Sequence, residues 1–218
     1  MLNNLILIIN KMKNFHTYGD SHATHHGGWS SIQIEGLKII TQHLGPKLAF
    51  SFGRDKNIVV NKKIIKKGDY ICFCMGEIDC RAHINKYKEN WKKNVDNLVI
   101  EYFKAIEKNV RGLDSNTCVY NVVPQLERSL KKFQWIKRWE EQDPVNRSTL
   151  GTDEERKEYT VYMNQKLEEY CQKYGYIFFD VYNKYIDEKG FLNEMYHDNN
   201  CHIRDPIFIK EKLIEILK

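Results

Sequence analysis

A short apolar run in the first half of the chain constrains the fold more than any other feature. Tyr70–Met75 reads YICFCM, with Gly68 shortly before it and Gly76 directly after it. A run without alternating polar residues is typical of a strand that is buried on both faces. Such strands belong to parallel sheets with helices on both sides, so this run predicts an α/β protein.

Other strand and helix patterns alternate along the chain. The further strand candidates are Asn14–Tyr18, Leu37–Thr41, Cys118–Val123 and Tyr176–Val181. The helix candidates run from Tyr87 to Ile106, from the capping pattern at Thr152, and from Asp205-Pro206 with Pro206 in the first helical position. Apolar spacing, capping chemistry and proline preference support these three helices. Strands separated by helices form βαβ units, so we expect a parallel sheet between two helical layers.

Length and charge limit the classes of function. The 218 residues fit one domain, which we assign to residues 13–218, with residues 1–12 as an N-terminal extension or extra strand and Met12 as an alternative start. The net charge is +5, and because Lys and Arg are spread along the chain we expect no nucleic-acid partner. Leu5–Ile9 is far shorter than the about 20 residues that cross a bilayer, so no membrane span is predicted. Six scattered cysteines predict buried free thiols and therefore a reducing, cytoplasmic location.

A serine follows the first strand candidate directly. Ser21 lies in Tyr18-Gly19-Asp20-Ser21-His22, and ligands of open α/β sheets bind at the carboxyl ends of strands. A serine in such a turn can point its hydroxyl away from the sheet, where backbone N–H groups favour developing negative charge. The hydroxyl needs a base to become a nucleophile. The alternative is that Asp20 and Ser21 only cap the next helix.

A candidate base lies near the other end of the chain. His202 comes shortly before the last predicted helix and follows Asp198 by four residues. A neutral imidazole could accept the Ser21 proton while a carboxylate fixes its orientation. The alternative is an ordinary surface or packed histidine. A serine after a strand near one terminus and an Asp/His pair near the other favour the catalytic interpretation.

A charged segment follows the apolar strand. Gly76-Glu77-Ile78-Asp79-Cys80-Arg81 is followed by His83. Two carboxylates, a guanidinium and an imidazole are costly to gather at a strand end unless they pair or bind something. The segment therefore predicts either a ligand site or a local network between Arg81 and a carboxylate, and both interpretations can hold together.

These motifs resemble a bacterial-type branch of the SGNH/GDSL hydrolase superfamily, over nearly the whole chain and in the expected order. The resemblance implies a three-layer α/β/α sandwich around a five-stranded, mostly parallel, flavodoxin-like sheet. It also implies Ser21 as nucleophile, His202 as general base, Asp198 as the acid that orients it, and backbone N–H groups of Ser21 and Gly45 in an oxyanion hole. The Gly-Glu-Ile-Asp-Cys-Arg string is similar to a subfamily signature met near polysaccharide biosynthesis.

Two positions depart from the family pattern. Ile78 stands where the family has an Asn that donates to the oxyanion, and Arg81 is our candidate for the missing donor. Asp198 precedes His202 by four residues instead of three. Either an extra residue loops out between them, or another group orients His202.

The leading hypothesis is a serine-dependent ester hydrolase that acts on a small or carbohydrate O-ester, with O-acetyl favoured, through an acyl-enzyme. The alternatives are a sugar O-acyltransferase with the same site and a non-catalytic glycan-binding protein on this scaffold. Candidate substrate contacts are Asp20, His22, His43, Gly76, Glu77, Asp79, Arg81 and His83. No cofactor is expected.

Histidines crowd the first part of the chain. His22 and His26 have the spacing of a helical metal pair but lack a supporting motif, so we predict no metal. We expect the other histidines of this part, His16, His25 and His26, on the surface. The long segment 125–151 contains aromatic and basic residues around Phe133 and Trp139. We interpret it as a lid or acceptor-binding flap, with simple packing as the alternative.

Overall fold

The computed structural model describes residues 12–128 and 151–218. The predicted N-terminal extension, apart from Met12, lies outside the described residues. So does the proposed lid around Phe133 and Trp139.

Five strands form one sheet in the order β2-β1-β3-β4-β5, and every neighbouring pair is parallel. The strands are β1 (Lys13–Gly19), β2 (Leu37–His43), β3 (Tyr70–Cys74), β4 (Asn116–Tyr120) and β5 (Ile177–Phe179). Every residue of β3 is buried, as its apolar composition predicts. The predicted α/β fold with a parallel five-stranded sheet is confirmed.

Helices cover both faces of the sheet. They are α1 (Ala49–Asp55), α2 (Trp91–Val110), α3 (Asp153–Tyr174), α4 (Tyr182–Tyr185) and α5 (Ile207–Leu217). Successive residues of β3 alternate between two cores, since strand side chains point to opposite faces. Phe73 packs in the core beneath α1, α2 and α3, and Cys72 packs in the core that contains Trp29 and Leu213 of α5.

Two predicted helix starts are wrong by a few residues. Tyr87 is 66% exposed and has non-helical backbone angles within a 3₁₀ segment, so α2 begins only at Trp91. Pro206 caps α5 instead of opening it, and its carbonyl accepts the N–H of Lys210 at 2.9 Å. The capping box at Thr152 is present as predicted. The strands β4 and β5 end before the predicted Val123 and Val181.

The six cysteines are all free thiols, as predicted. Five are buried, and Cys201 is partly exposed. In residues 12–128 and 151–218, no helix combines the length and the apolar character that a membrane crossing needs.

Candidate active site

Three adjacent strands bring predicted site residues to one edge of the sheet. At the end of β1, Gly19 is in register with His43 of β2 on one side and Cys74 of β3 on the other. Two positions after Gly19, His43 and Cys74 come Ser21, Gly45 and Gly76, respectively. The candidate nucleophile and the glycine of the predicted oxyanion hole therefore follow neighbouring strands at matching positions.

The turn after β1 is held against both neighbouring strands. The Gly19 carbonyl accepts the N–H of Leu44 at 2.7 Å, and the N–H of Asp20 donates to the Cys74 carbonyl at 3.3 Å. A Cβ atom on Gly19 would lie 1.9 Å from the Cys74 carbonyl oxygen. Only glycine allows this close approach, which fixes where Ser21 leaves the sheet.

Ser21 opens a short 3₁₀ turn. The Asp20 carboxylate caps this turn by accepting the backbone N–H of His22 at 2.9 Å, so the capping interpretation is correct for Asp20. The Ser21 carbonyl accepts the Thr24 hydroxyl at 2.9 Å, and the Trp29 indole donates to the His22 carbonyl at 2.8 Å. Ser21 itself is half-buried, so its turn is rigidly held while its side chain stays accessible.

Ser21 meets the other end of the chain through His202. The Ser21 Oγ lies 2.9 Å from His202 Nε2, across 181 residues of sequence. His202 Nδ1 lies 2.9 Å from Asp198 Oδ2. Burial lowers the pKa of His202, but its contacts with Cys201 and Asp198 outweigh burial and leave the pKa above its usual value. The hydroxyl, imidazole and carboxylate form one continuous hydrogen-bonded chain.

The loop between Asp198 and His202 absorbs the extra residue of this sequence. The N–H of Asp198 donates to the His202 carbonyl at 3.1 Å, which closes the loop. Within it, Asn199 takes a left-handed conformation with φ 65°, which asparagine tolerates better than most residues. Asp198 Oδ1 accepts the N–H of Asn200 at 2.8 Å, while Oδ2 is bonded to the imidazole. The four-residue spacing therefore still brings the Asp198 carboxylate against the imidazole.

His22 is a buried histidine with an acceptor at each ring nitrogen. Its Nδ1 lies 3.0 Å from Asp20 Oδ1, and its Nε2 lies 3.1 Å from the Cys201 carbonyl oxygen. A carbonyl oxygen only accepts, so an imidazole that satisfies both partners carries two protons. Burial lowers the pKa of His22, but Asp20, Cys201 and Glu77 outweigh it, so the pKa is well above its usual value. His22 thus joins the Ser21 turn to the loop that carries His202.

Glu77 and Arg81 form the ion pair that one interpretation of the sequence predicted. Arg81 Nε donates to Glu77 Oε1 at 2.7 Å, with Glu77 buried and the Arg81 side chain 25% exposed. Burial raises the pKa of Glu77, but Arg81 and His22 outweigh it and keep the pKa below its usual value. Glu77 in turn raises the pKa of Arg81, and Cys201 and Asp20 add to this effect. The guanidinium therefore lies within electrostatic reach of the Ser21 turn.

Three other predicted substrate contacts, Asp79, His43 and His83, lie in different environments. Asp79 accepts the backbone N–H groups of Ala49 at 2.8 Å and Phe50 at 3.2 Å, which are contacts of a helix cap on α1. Burial raises the pKa of Asp79 to about 7, although these two N–H groups favour its charged form. His43 is exposed at the end of β2, and His83 is half-buried on the segment after β3. The roles of all three residues in substrate binding remain predictions.

The sequence prediction missed one residue of this site, Cys201, and was wrong about the burial of a histidine outside it, His16. Cys201 was grouped with the structural thiols, yet its Sγ lies 3.8 Å from His202 Nε2. Burial and Glu77 raise the pKa of Cys201, but His202 and His22 lower it, which leaves it at about 7. Its position directly before His202 was the available signal. His16, expected on the surface, is buried and lies 3.5 Å from Asp69, and residues 22–26 form no α-helix that would align His22 with His26.

Several solved structures have a fold similar to that of this chain. No protein-family model matches the sequence, and no curated protein matches it. The chain is similar in structure to a Streptococcus pneumonia protein provisionally described as a platelet activating factor (TM-score 0.66, 16% identity, 99% of this chain and 87% of that one). It is also similar to a GDSL-like lipase from Bacteroides thetaiotaomicron (0.62, 12%, 96% and 89%). A third similar structure is a catalytic mutant of an acetylxylan esterase from Geobacillus stearothermophilus (0.54, 10%, 93% and 93%). At these identities the likeness concerns the fold, which is the one that the sequence resemblance implied.

Proposed function

We propose that the protein is a serine-dependent ester hydrolase that works through an acyl-enzyme on Ser21. The observation that carries this proposal is the pair of 2.9 Å contacts that links Ser21 Oγ to His202 and His202 to Asp198. A hydroxyl, an imidazole and a carboxylate in this order are the parts of a hydrolytic triad. The fold shared with a GDSL-like lipase and an acetylxylan esterase adds support.

The proposed reaction assigns each proton to an atom. His202 Nε2 takes the proton of Ser21 as Oγ attacks the ester carbonyl, and Asp198 stabilises the imidazolium through Nδ1. The same imidazolium then protonates the leaving alcohol, which leaves an acyl group on Ser21. In the second half, His202 Nε2 takes a proton from a water molecule as its oxygen attacks the acyl carbonyl. The imidazolium then returns this proton to Ser21 Oγ, and the carboxylic acid leaves.

The proposed oxyanion hole combines backbone and side-chain donors. The N–H groups of Ser21 and Gly45 follow adjacent strands at matching positions, so both lie at the sheet edge where the ester would sit. Arg81 would supply the donor that Ile78 cannot. Its Nε is engaged by Glu77, and the remaining N–H groups of the partly exposed guanidinium are available to an oxyanion.

Arg81→Lys tests this third donor. The lysine ammonium can still pair with Glu77, but it lacks the second arm of the guanidinium fork. Because loss of one oxyanion donor costs about 10²- to 10³-fold in rate, we expect kcat for ester cleavage to fall by that factor with little change in KM. Arg54→Lys on α1, where Arg54 is exposed and pairs with Asp55, is the matched control. Equal kcat values in the two variants would exclude Arg81 from the oxyanion hole.

We propose a carbohydrate O-acetyl ester as the substrate, and a cytoplasmic location. The substrate assignment is supported by the similar fold of an acetylxylan esterase and by the resemblance of the segment from Gly76 to Arg81 to a signature met near polysaccharide biosynthesis. The six unpaired thiols support a reducing compartment. A sugar O-acyltransferase would use the same residues and differ in which hydroxyl resolves the acyl-enzyme.

Chemical labelling and product analysis test this function together. The purified chain should react with a fluorophosphonate probe at Ser21, identified by peptide mass spectrometry, and release acetate from an acetylated xylan oligomer. Adding an unacetylated glycan should leave the acetate yield unchanged if water resolves the acyl-enzyme. Acetyl transfer to the glycan would instead support the transferase. A chain that binds the glycan, leaves Ser21 unlabelled and releases no acetate would contradict both enzyme proposals.

A further inference from the structure

Three side chains beside Ser21 form a cluster with the composition of a metal site. His22, Cys201 and His202 each offer one ligand atom, and these atoms lie within 4.8 Å of one another. His22 is buried on the turn after β1, whereas Cys201 and His202 belong to the loop that precedes α5. The cluster thus joins two separate segments, and it differs from the His22/His26 pair considered from the sequence.

A carboxylate holds one ring nitrogen of each histidine in the cluster. Asp20 holds His22 at Nδ1 (3.0 Å), and Asp198 holds His202 at Nδ1 (2.9 Å). His22 Nε2 lies 3.1 Å from the Cys201 carbonyl oxygen. His202 Nε2 lies 2.9 Å from Ser21 Oγ and 3.8 Å from Cys201 Sγ. Histidines that bind metals usually have the other ring nitrogen bonded to a carboxylate or carbonyl group, so both outer contacts are already in place.

The distances and charges fit a zinc ion. With Zn–S of about 2.3 Å and Zn–N of about 2.05 Å, a tetrahedral ion places sulfur and nitrogen about 3.6 Å apart, close to the 3.8 Å between Cys201 and His202. Asp20, Glu77 and Asp198 bring three carboxylates to this region, and the guanidinium groups of Arg81 and Arg128 act electrostatically on Glu77. In addition, Asp20 Oδ2 and Glu77 Oε2 are buried without a hydrogen-bond partner in the described part of the chain.

We propose that His22, Cys201 and His202 form an inhibitory Zn²⁺ site. A thiolate and two imidazoles suit zinc, with water in the fourth position. Coordination uses the Nε2 lone pair of His202, which is the atom bonded to Ser21 Oγ, so a bound ion removes the base from the nucleophile. The Cys201 thiol and His22 Nε2 each release a proton to solvent, and the two protons offset the charge of the incoming ion. Zinc binding therefore replaces two contacts, the 3.1 Å bond from His22 Nε2 to the Cys201 carbonyl and the 2.9 Å bond between His202 Nε2 and Ser21. The inhibition rests on the proposed function, whereas the binding does not.

Titration of the untagged full-length chain with Zn²⁺ measures binding without any substrate. Isothermal titration calorimetry should find one site, and Co²⁺ in its place should give a thiolate-to-metal absorption band. Cys201→Ala should weaken Zn²⁺ binding by more than the about 10- to 100-fold that outer contacts are worth, and Asp198→Asn by about that factor. Cys171→Ala, which removes a buried thiol of α3, is the control and should bind Zn²⁺ normally.

Ser21→Ala separates this proposal from the proposed function. It should bind Zn²⁺ at least as tightly as the unmodified chain, since Ser21 is not a ligand. Zinc binding that depends on Cys201 in a chain without esterase activity would support the site and overturn the enzyme. Esterase activity that persists at saturating Zn²⁺, equal binding by Cys201→Ala, or a Co²⁺ complex without the thiolate band would overturn the site.

Discussion

Ser21→Ala is expected to lower kcat for ester cleavage by about 10⁴- to 10⁶-fold, the range found when the nucleophile of a hydrolytic triad is removed. The Ser21 Oγ is the atom that His202 Nε2 contacts at 2.9 Å, and alanine removes that atom while leaving the backbone donors of the turn. The residual rate should stem from binding and the oxyanion donors alone. Initial rates with an acetate ester, corrected for spontaneous hydrolysis, measure the effect.

Ser31→Ala is the matched control for this substitution. Ser31 is exposed, lies on the same segment and donates its hydroxyl to the Gly28 carbonyl at 2.8 Å. Both variants should unfold in urea at nearly the same concentration as the unmodified chain, since each loses only one partly exposed hydroxyl. If Ser21→Ala kept the activity of Ser31→Ala, the acyl-enzyme mechanism would be wrong.

Asp198→Asn is expected to lower kcat by about 10⁴-fold. The carboxylate holds His202 through Nδ1 at 2.9 Å, so that Nε2 presents a lone pair to Ser21. An amide in its place can donate to Nδ1, which favours the wrong tautomer and removes the charge that stabilises the imidazolium. Steady-state rates with the same acetate ester measure the loss.

The control for Asp198→Asn is Asp114→Asn. Asp114 is exposed and pairs with Lys67, outside the candidate site, so its substitution changes the net charge equally. We expect its kcat to stay within about twofold of the unmodified chain, as for most exposed substitutions. A small effect of Asp198→Asn would mean that the longer loop gives His202 its orientation through another contact.

The fold could be predicted because its central elements follow from local patterns. The apolar run of β3 required cover on both faces, and the capping box at Thr152 marked the start of α3. Element boundaries were less accurate where short-range backbone geometry decides them. Tyr87 continues the helical apolar spacing but lies in a separate 3₁₀ segment, and Pro206 is compatible with both a cap and a first helical position.

The sequence could predict those site residues that follow the ends of strands or that belong to motifs of a known family. Ser21 and Gly45 come directly after β1 and β2, so their shared edge followed from parallel topology. The contacts of His22 and Cys201 could not be predicted in the same way. They lie 179 residues apart and meet through a carbonyl oxygen, which carries no sequence signature. His16 was misplaced because a single residue type does not reveal burial.

The five residues from Asp198 to His202 set the position of the carboxylate relative to the imidazole. The acid and the imidazole lie in one short loop, and the bonds that join them, from carboxylate to imidazole and from the Asp198 N–H to the His202 carbonyl, both lie within it. The angle between these two groups is therefore set locally. Insertions or deletions in segments that do not contact this loop should consequently leave the 2.9 Å contact between the Asp198 carboxylate and the imidazole unchanged.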